Sequence, residues 1–195
     1  MQEQGELLLI EYLTAAGFSA ALASDLAHAF DPLQSWSKGT YFIRPGERCA
    51  RVGLLQSGIC RYYYVTEKGE DVTRWCSLSG DFVTSLPAFI RQQPATEYIE
   101  FIKPGKMWML SLAKWQDLYL KHEELRHFWL KTMEDNYIGM EERVYNLIAR
   151  NAAERYAWFQ QWQPRMLQEV PDEYMAAMLG IQPRHLSRLR GVRKL

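Results

Sequence analysis

The 195-residue chain has no histidine between His28 and His122, no Cys-x-x-Cys pair and no carboxylate after Glu173. The first two absences each exclude a class of chemistry. Strand-rich rolls that act as oxygenases or isomerases hold a metal with two or three inward histidines and a glutamate. The strand-rich middle of this chain has no histidine at all, so a cupin-like enzyme fails on inventory. His122 and His127 are five apart, fall on different helix faces and make a poor metal pair. No Ser-His-Asp arrangement and no phosphate-cradling glycine loop is present. The reading is therefore of a non-enzyme with no catalytic residue, metal or cofactor. Cys49, Cys60 and Cys76 are an odd set of three, 11 and 16 residues apart, which fits reduced, buried thiols. No apolar run approaches the ~20 residues of a membrane span. The run Leu7 to Ile10 lies between acidic flanks and is too short for a signal peptide. A cytoplasmic protein with no membrane partner is expected.

What is present is a packed protein with one unbalanced end. Hydrophobic residues make up 48% and aromatics 13%, enough for substantial cores and too much for a disordered chain. The formal net charge is +0, so the whole chain is not a general polyanion binder. Against that neutral background, residues 174–195 carry Arg184, Arg188, Arg190, Arg193 and Lys194 with no carboxylate.

The hydrophobic period changes twice along the chain. Residues 3–30 read as two short helices broken at Gly17, with Ser19 capping the second. From about Lys38 short strands alternate with turn signals at Pro45-Gly46, Ser57-Gly58, Lys68-Gly69, Ser79-Gly80 and Lys103-Pro104-Gly105. That rhythm predicts an antiparallel roll or jelly roll, with Tyr62, Tyr64, Trp75, Phe82 and Trp108 in an aromatic-rich interior. After Ser111 the period becomes helical: a short helix near 115–120, then a long one over about 123–150. Its stripe of Leu125, Trp129, Met133, Tyr137, Met140, Val144 and Leu147 has helical spacing. At ~40 Å this helix is longer than a roll needs as a cover, which points to a parallel partner helix in a homodimer. A further helix over 152–162 ends at Gln163-Pro164.

The last segment, 172–195, reads as a helix-turn-helix. Ala176 is small where two helices cross, Gly180 suits the turn, and Met175, Leu179, Ile181, Leu186 and Leu189 are apolar around it. Pro183 fits the first position of the second helix, whereas Gln182 is a weak choice for its cap. Leu186 and Leu189 face inward, leaving Arg184, His185, Ser187 and Arg188 on the opposite side. Arginine is shaped for two parallel hydrogen bonds to guanine O6 and N7. Arg190, Arg193 and Lys194 lie further on, where backbone phosphates are the natural target.

A roll, a long helix and a C-terminal helix-turn-helix together resemble the Crp/Fnr family (cyclic-AMP receptor protein and fumarate-nitrate regulator) over roughly residues 26–195. The resemblance rests on Pro45-Gly46-Glu47, Leu55-Gln56-Ser57-Gly58, Arg61-Tyr62-Tyr63-Tyr64, Lys68-Gly69-Glu70-Asp71 and Gly80-Asp81-Phe82. At the C-terminus it rests on Met178-Leu179-Gly180-Ile181 and His185-Leu186-Ser187-Arg188. It implies an α+β fold: an N-terminal double-stranded β-roll with flanking helices over 1–120, a long dimerisation helix over 121–150, and a winged-helix-like helix-turn-helix domain over 151–195. It implies a transcription regulator partnered by double-stranded DNA, a second copy, RNA polymerase and a small-molecule effector. The effector region maps to Phe82, Thr84, Ser85, Ala95 and Thr96.

Members of the family that bind cyclic AMP use a glutamate for the ribose and an arginine for the phosphate. Here Val83-Thr84-Ser85-Leu86 and Ala95-Thr96 stand in those places. A buried phosphate with no cation opposite is heavily penalised, which argues against cyclic AMP. An iron–sulfur switch would need a cysteine cluster near the N-terminus, and none precedes Cys49. The other function open to the sequence is a small-molecule sensor that acts on a protein partner without reading DNA.

Overall fold

The computed structural model describes the backbone of residues 2–191 and the side chains from Gln4 onward. The chain forms two compact units. One comprises Met1–Cys60 with Ser77–Met133, the other Arg61–Cys76 with Glu134–Leu195. The expected boundaries follow secondary structure. The compact units follow packing, and they part the hairpin from the rest of the roll.

In the first unit, α1 (Gln2–Ala15) and α2 (Ala20–Ala29) form the expected helical pair. The Ser19 side chain caps α2 by accepting from the Leu22 N–H. Leu9, Leu13, Leu22 and Leu26 fill the space beneath them. The roll is built on β3 (Arg51–Val65) and β6 (Tyr98–Ser111), with β1 (Gln34–Trp36) and β2 (Tyr41–Ile43) on β6 and β5 (Phe82–Val83) on β3. The pairings are antiparallel, with Gln34 opposite Met107 and Leu54 opposite Phe82. Phe42, Leu54, Leu55, Ile59, Ile99, Phe101 and Trp108 form the core, and Trp36 stacks on Phe101 at 5.1 Å.

Two expected turns are bends within continuous strands. Gly58 has φ +98°, which glycine adopts without penalty. A Cβ on Gly105 would lie 1.9 Å from the Ser57 carbonyl oxygen, and one on Gly58 would lie 2.8 Å from the Gly105 Cα. The strands pass so closely here that only paired glycines fit, which is how a sheet bends without ending. The turn signals at these sites thus mark a crossing.

After α3 (Leu86–Arg91), β6 leads into α4 (Leu112–Lys121), capped by Ser111 accepting from the Lys114 N–H. The chain then enters the long helix α5 (Glu123–Ala149), within one residue of the expected bounds. Its start is fastened to α2. Glu124 accepts from the Ser19 N–H at 2.8 Å and from its hydroxyl at 2.5 Å. Asp25 accepts from Lys121 Nζ at 2.6 Å, and its carboxylate lies 2.7 Å from His122 Nε2. The hydrogen bond from Lys121, then that from His122, holds the Asp25 carboxyl below the ordinary range.

In the second unit the end of β3 and β4 (Asp71–Ser77) make a hairpin, followed in the same unit by the later turns of α5. Then come α6 (Ala152–Trp162), α7 (Pro164–Glu169), α8 (Asp172–Leu179) and α9 (Pro183–Gly191). Asn151 and Glu154 form a full capping box at α6. Helix α7 departs from the sequence pattern: Pro164 signals an end to the preceding helix, yet it also suits the first position of a new one. The roll interior also differs from expectation. Tyr64 is 40% exposed, while Tyr62 and Trp75 belong to the hairpin in the second unit. Trp75 meets Trp162 there at 5.5 Å. Among the described residues no strand accompanies α7 to α9.

Candidate functional site

The helix-turn-helix forms as the sequence pattern requires. Gly180 ends α8 at φ +65°, its N–H bonded to the Ala176 and Ala177 carbonyls. Met175, Ala176, Met178, Leu179 and Leu186 are buried, while Ile181 and Leu189 are half-buried. Pro183 takes the first position of α9, and the Gln182 carbonyl accepts from the His185 and Leu186 N–H groups. With the apolar side turned inward, Arg184, His185, Ser187 and Arg188 are all exposed. Gln182, Arg184, His185 and Arg188 line one open concavity. Among the described residues, none of these four side chains makes a hydrogen bond or ion pair.

Arg190 is placed differently. It donates from Nη2 to the Leu167 carbonyl at 2.6 Å and pairs with Asp172 at 3.0 Å, so it fastens α9 to α7 and α8. Arg190 thus has internal partners that the sequence reading does not foresee, because Asp172 at the start of α8 lies within reach. Arg193 and Lys194 lie outside the described residues.

Two further arginines that sequence reading missed hold the motif. Arg143 of α5 donates to the Arg74 carbonyl at 2.7 Å and to the Met178 carbonyl at 3.3 Å. Burial, and then the charge of Arg74, lowers its pKa. An arginine remains charged regardless. Arg155 of α6 donates to the Gly180 carbonyl at 3.3 Å, at the turn itself. On the hairpin, Arg61 is buried between the rings of Tyr63 and Tyr174, at 4.2 and 4.6 Å. It also donates to Thr73 and Asp71, each at 2.8 Å.

Of the predicted effector residues, Thr84 and Ser85 lead into α3, while Ala95 and Thr96 precede Glu97 in the chain. Ser85 is buried at its N-terminus and donates to Glu97 at 3.0 Å, with Glu97 only 2% exposed. Thr84 donates to the Arg51 carbonyl and contacts the Cys49 thiol at 3.2 Å. Ala95 is buried and Thr96 exposed. Phe82 faces Phe128 and Trp115 and belongs to an aromatic cluster. Sequence reading left no acid in this region, whereas the fold places the buried Glu97 carboxyl there. A buried carboxyl opposes a phosphate further.

The α5 stripe does two jobs. Leu125 is fully buried in its own unit, Trp129 meets Trp115 at 5.1 Å, and Met133 is half-buried. Beyond them Tyr137 is 67%, Met140 58%, Val144 50% and Leu147 41% exposed. Ile138, Tyr145 and Ile148, outside the expected stripe, are 54%, 57% and 81% exposed. Together these seven cover about half the helix circumference at the helical period.

Residues 33–122 match the cyclic nucleotide-binding domain family. No curated relative matches the sequence. Among solved structures, a CooA variant from Carboxydothermus hydrogenoformans is 20% identical, over 95% of this chain and 84% of that one, with a TM-score of 0.67. FixK2 from Bradyrhizobium japonicum is 16% identical over 82% of each chain, with a TM-score of 0.69. A protein from Eubacterium rectale, described as a transcriptional regulator of the Crp/Fnr family, is 15% identical. That match spans 92% of this chain and 85% of the other, with a TM-score of 0.64. At these identities the likeness is one of fold. Residues 33–122 are therefore similar to a cyclic nucleotide-binding domain, and the chain shares the fold of these solved structures.

Proposed function

We propose that this chain is a homodimeric, sequence-specific DNA-binding transcription regulator of the cytoplasm, with α9 as its recognition helix. The observation that carries this reading is the outer face of α9. Arg184 and Arg188 stand one turn apart, exposed and without a partner among the described residues, on a helix with no carboxylate. Arginines without internal partners on an outward helix face suit the major groove, where the N-terminal part of such a helix meets base edges. The exposed apolar arc of α5, from Tyr137 to Ile148, is the proposed dimer seam, since an apolar face of this width needs a cover. RNA polymerase is the further protein partner, and a small molecule other than cyclic AMP is the signal at the Thr84–Glu97 region. Selection of genomic fragments by the purified protein, with and without small-molecule cell extract, tests the reading. Recovery of a shared two-fold motif supports it; recovery of random fragments in both arms refutes it.

A further inference from the structure

A cavity of about 210 Å³ opens in the first unit where α1 and α2 meet β6 and the segment that leads into β1. Its inner wall is apolar and comprises Leu9 of α1, Ala27 of α2, Phe30 and Trp108 of β6, all buried. An apolar cavity of about 150 Å³ holds benzene, so this one has room for a single ring with a short chain. The one polar side-chain group on that wall is the indole N–H of Trp108. Trp108 is 2% exposed and packs on the Tyr12 ring at 5.6 Å, and its N–H has no hydrogen-bond partner among the described residues. A buried donor without an acceptor carries a desolvation cost that a bound acceptor removes.

The rim of the cavity has the opposite character. Glu6 and Asp31 bring carboxylates to it, and His28 brings a ring nitrogen. His28 Nδ1 lies 2.7 Å from the Ser24 carbonyl, which can only accept, so the neutral ring leaves Nε2 as an acceptor. Asp31 pairs with Lys114 at 3.2 Å, whereas Glu6 has no ion pair or hydrogen bond among the described residues. The rim therefore offers acceptors and uncompensated negative charge, which repels an anion and favours a cation. Gly5 completes the lining from α1, although glycine is a poorer helix former than alanine. A Cβ there would meet nothing within 4 Å, so no close crossing of the kind at Gly58 and Gly105 calls for it.

From this arrangement we propose a small-molecule site between α1, α2 and β6, for a single-ring cationic amine whose ring carries a hydrogen-bond acceptor. The ring lies among Leu9, Ala27 and Phe30, and its acceptor takes the Trp108 N–H. The ammonium meets Glu6 and Asp31 at the rim. The site shares no residue with the Thr84–Glu97 region and does not depend on whether α9 reads DNA.

Tyramine is the probe for the test. It is compared with phenethylamine, which lacks the ring hydroxyl, and with para-hydroxyphenylacetate, which carries a carboxylate in place of the amine. Proton–nitrogen correlation spectra of the full chain report the indole N–H signals of its seven tryptophans, and Trp108→Phe identifies the one from Trp108. Tyramine should shift that signal saturably and bind more tightly than either comparison compound. Trp108→Phe, followed through the remaining signals, should erase the advantage of tyramine over phenethylamine. Glu6→Gln should weaken tyramine about two- to fivefold, the size of an exposed ion pair. Gly5→Trp fills the cavity from a position with open space, and should abolish the shift while circular dichroism stays that of wild type. No saturable shift with tyramine, equal binding of the acid, or full tyramine binding by a folded Gly5→Trp overturns the inference.

Discussion

The indole of Trp162 occupies the space that a side chain at Gly139 would need. A Cβ built on Gly139 would fall 2.5 Å from Trp162 Cζ2. Moving Trp162 aside would disturb its ring contacts, since it stacks on Trp158 at 4.7 Å and meets Trp75 and Phe159. A glycine inside a helix costs about 1 kcal/mol relative to alanine, and here it lets α6 approach α5. Gly139→Ala should therefore destabilise the second unit by about 1–3 kcal/mol despite the better helix propensity. Hydrogen exchange should show α6 and α8 losing protection while α1 and α2 keep theirs. An unchanged or raised melting temperature would show that the indole yields freely.

Arg190 and Arg188 are two residues apart in one helix and should separate stability from recognition. Arg190→Ala removes the Leu167 carbonyl's donor and the Asp172 partner, and should cost about 1 kcal/mol. Arg188→Ala removes an exposed side chain with no partner among the described residues and should leave stability within about 0.5 kcal/mol. It should weaken specific DNA binding by about 1–3 kcal/mol. Thermal melts and anisotropy titrations at one salt concentration would report both. Equal effects on stability would contradict the assignment.

Much of this organisation is legible in the residues alone. The Ser19 cap, the bounds of α5, the Gly180 turn and the inward Leu186 all follow from local propensity and hydrophobic period. Gly58 and Gly105 look like turn glycines in the sequence because a glycine at a close crossing and one in a turn give the same signal. The Ser85–Glu97 pair, Arg143 and the packing of Trp75 on Trp162 join residues far apart in sequence, and no local pattern announces them. Arg190 looked like its neighbour Arg188 because charge alone does not reveal which arginine has a carboxylate within reach.

Acid should loosen the hairpin. The hydrogen bond from Arg61 is the main cause that lowers the Asp71 carboxyl below its ordinary 3.8. A depressed folded pKa adds stability above the unfolded value, lost as pH falls through the folded one. The difference in stability between wild type and Asp71→Asn should thus be constant near neutrality and vanish progressively below about pH 3.8. Urea unfolding across pH 2 to 7 would show it. A difference independent of pH would mean that Arg61 is held by the tyrosines and Thr73 alone.

Cys76 should be inert in the native protein. Burial pushes its thiol up to about 12, against a smaller opposing pull from Arg61. The folded state then resists ionisation, so stability is full below the ordinary 9.0 and declines as pH rises from there towards 12. Iodoacetamide at pH 8 should label Cys76 only after denaturant is added. Rapid native labelling would show that β4 opens readily.

The exposed arc of α5 predicts a concentration-dependent dimer. Ile148→Glu and Met140→Glu each place a charge on this arc, where wild-type Ile148 is 81% exposed in the single chain. Both should shift the protein towards monomer in sedimentation velocity, with the fold of each chain intact by circular dichroism. A protein that is monomeric without substitution, or dimeric with both, would assign the arc to another cover.

A hydroxyl-radical footprint of the full chain on its selected duplex tests the central claim most directly. Two recognition helices in a two-fold dimer require two protected segments about one helical turn, ~34 Å, apart. These should be lost together in Met140→Glu and lost without monomerisation in Arg188→Ala. A single protected segment, or uniform protection insensitive to Arg188, would contradict a dimeric reader of sequence.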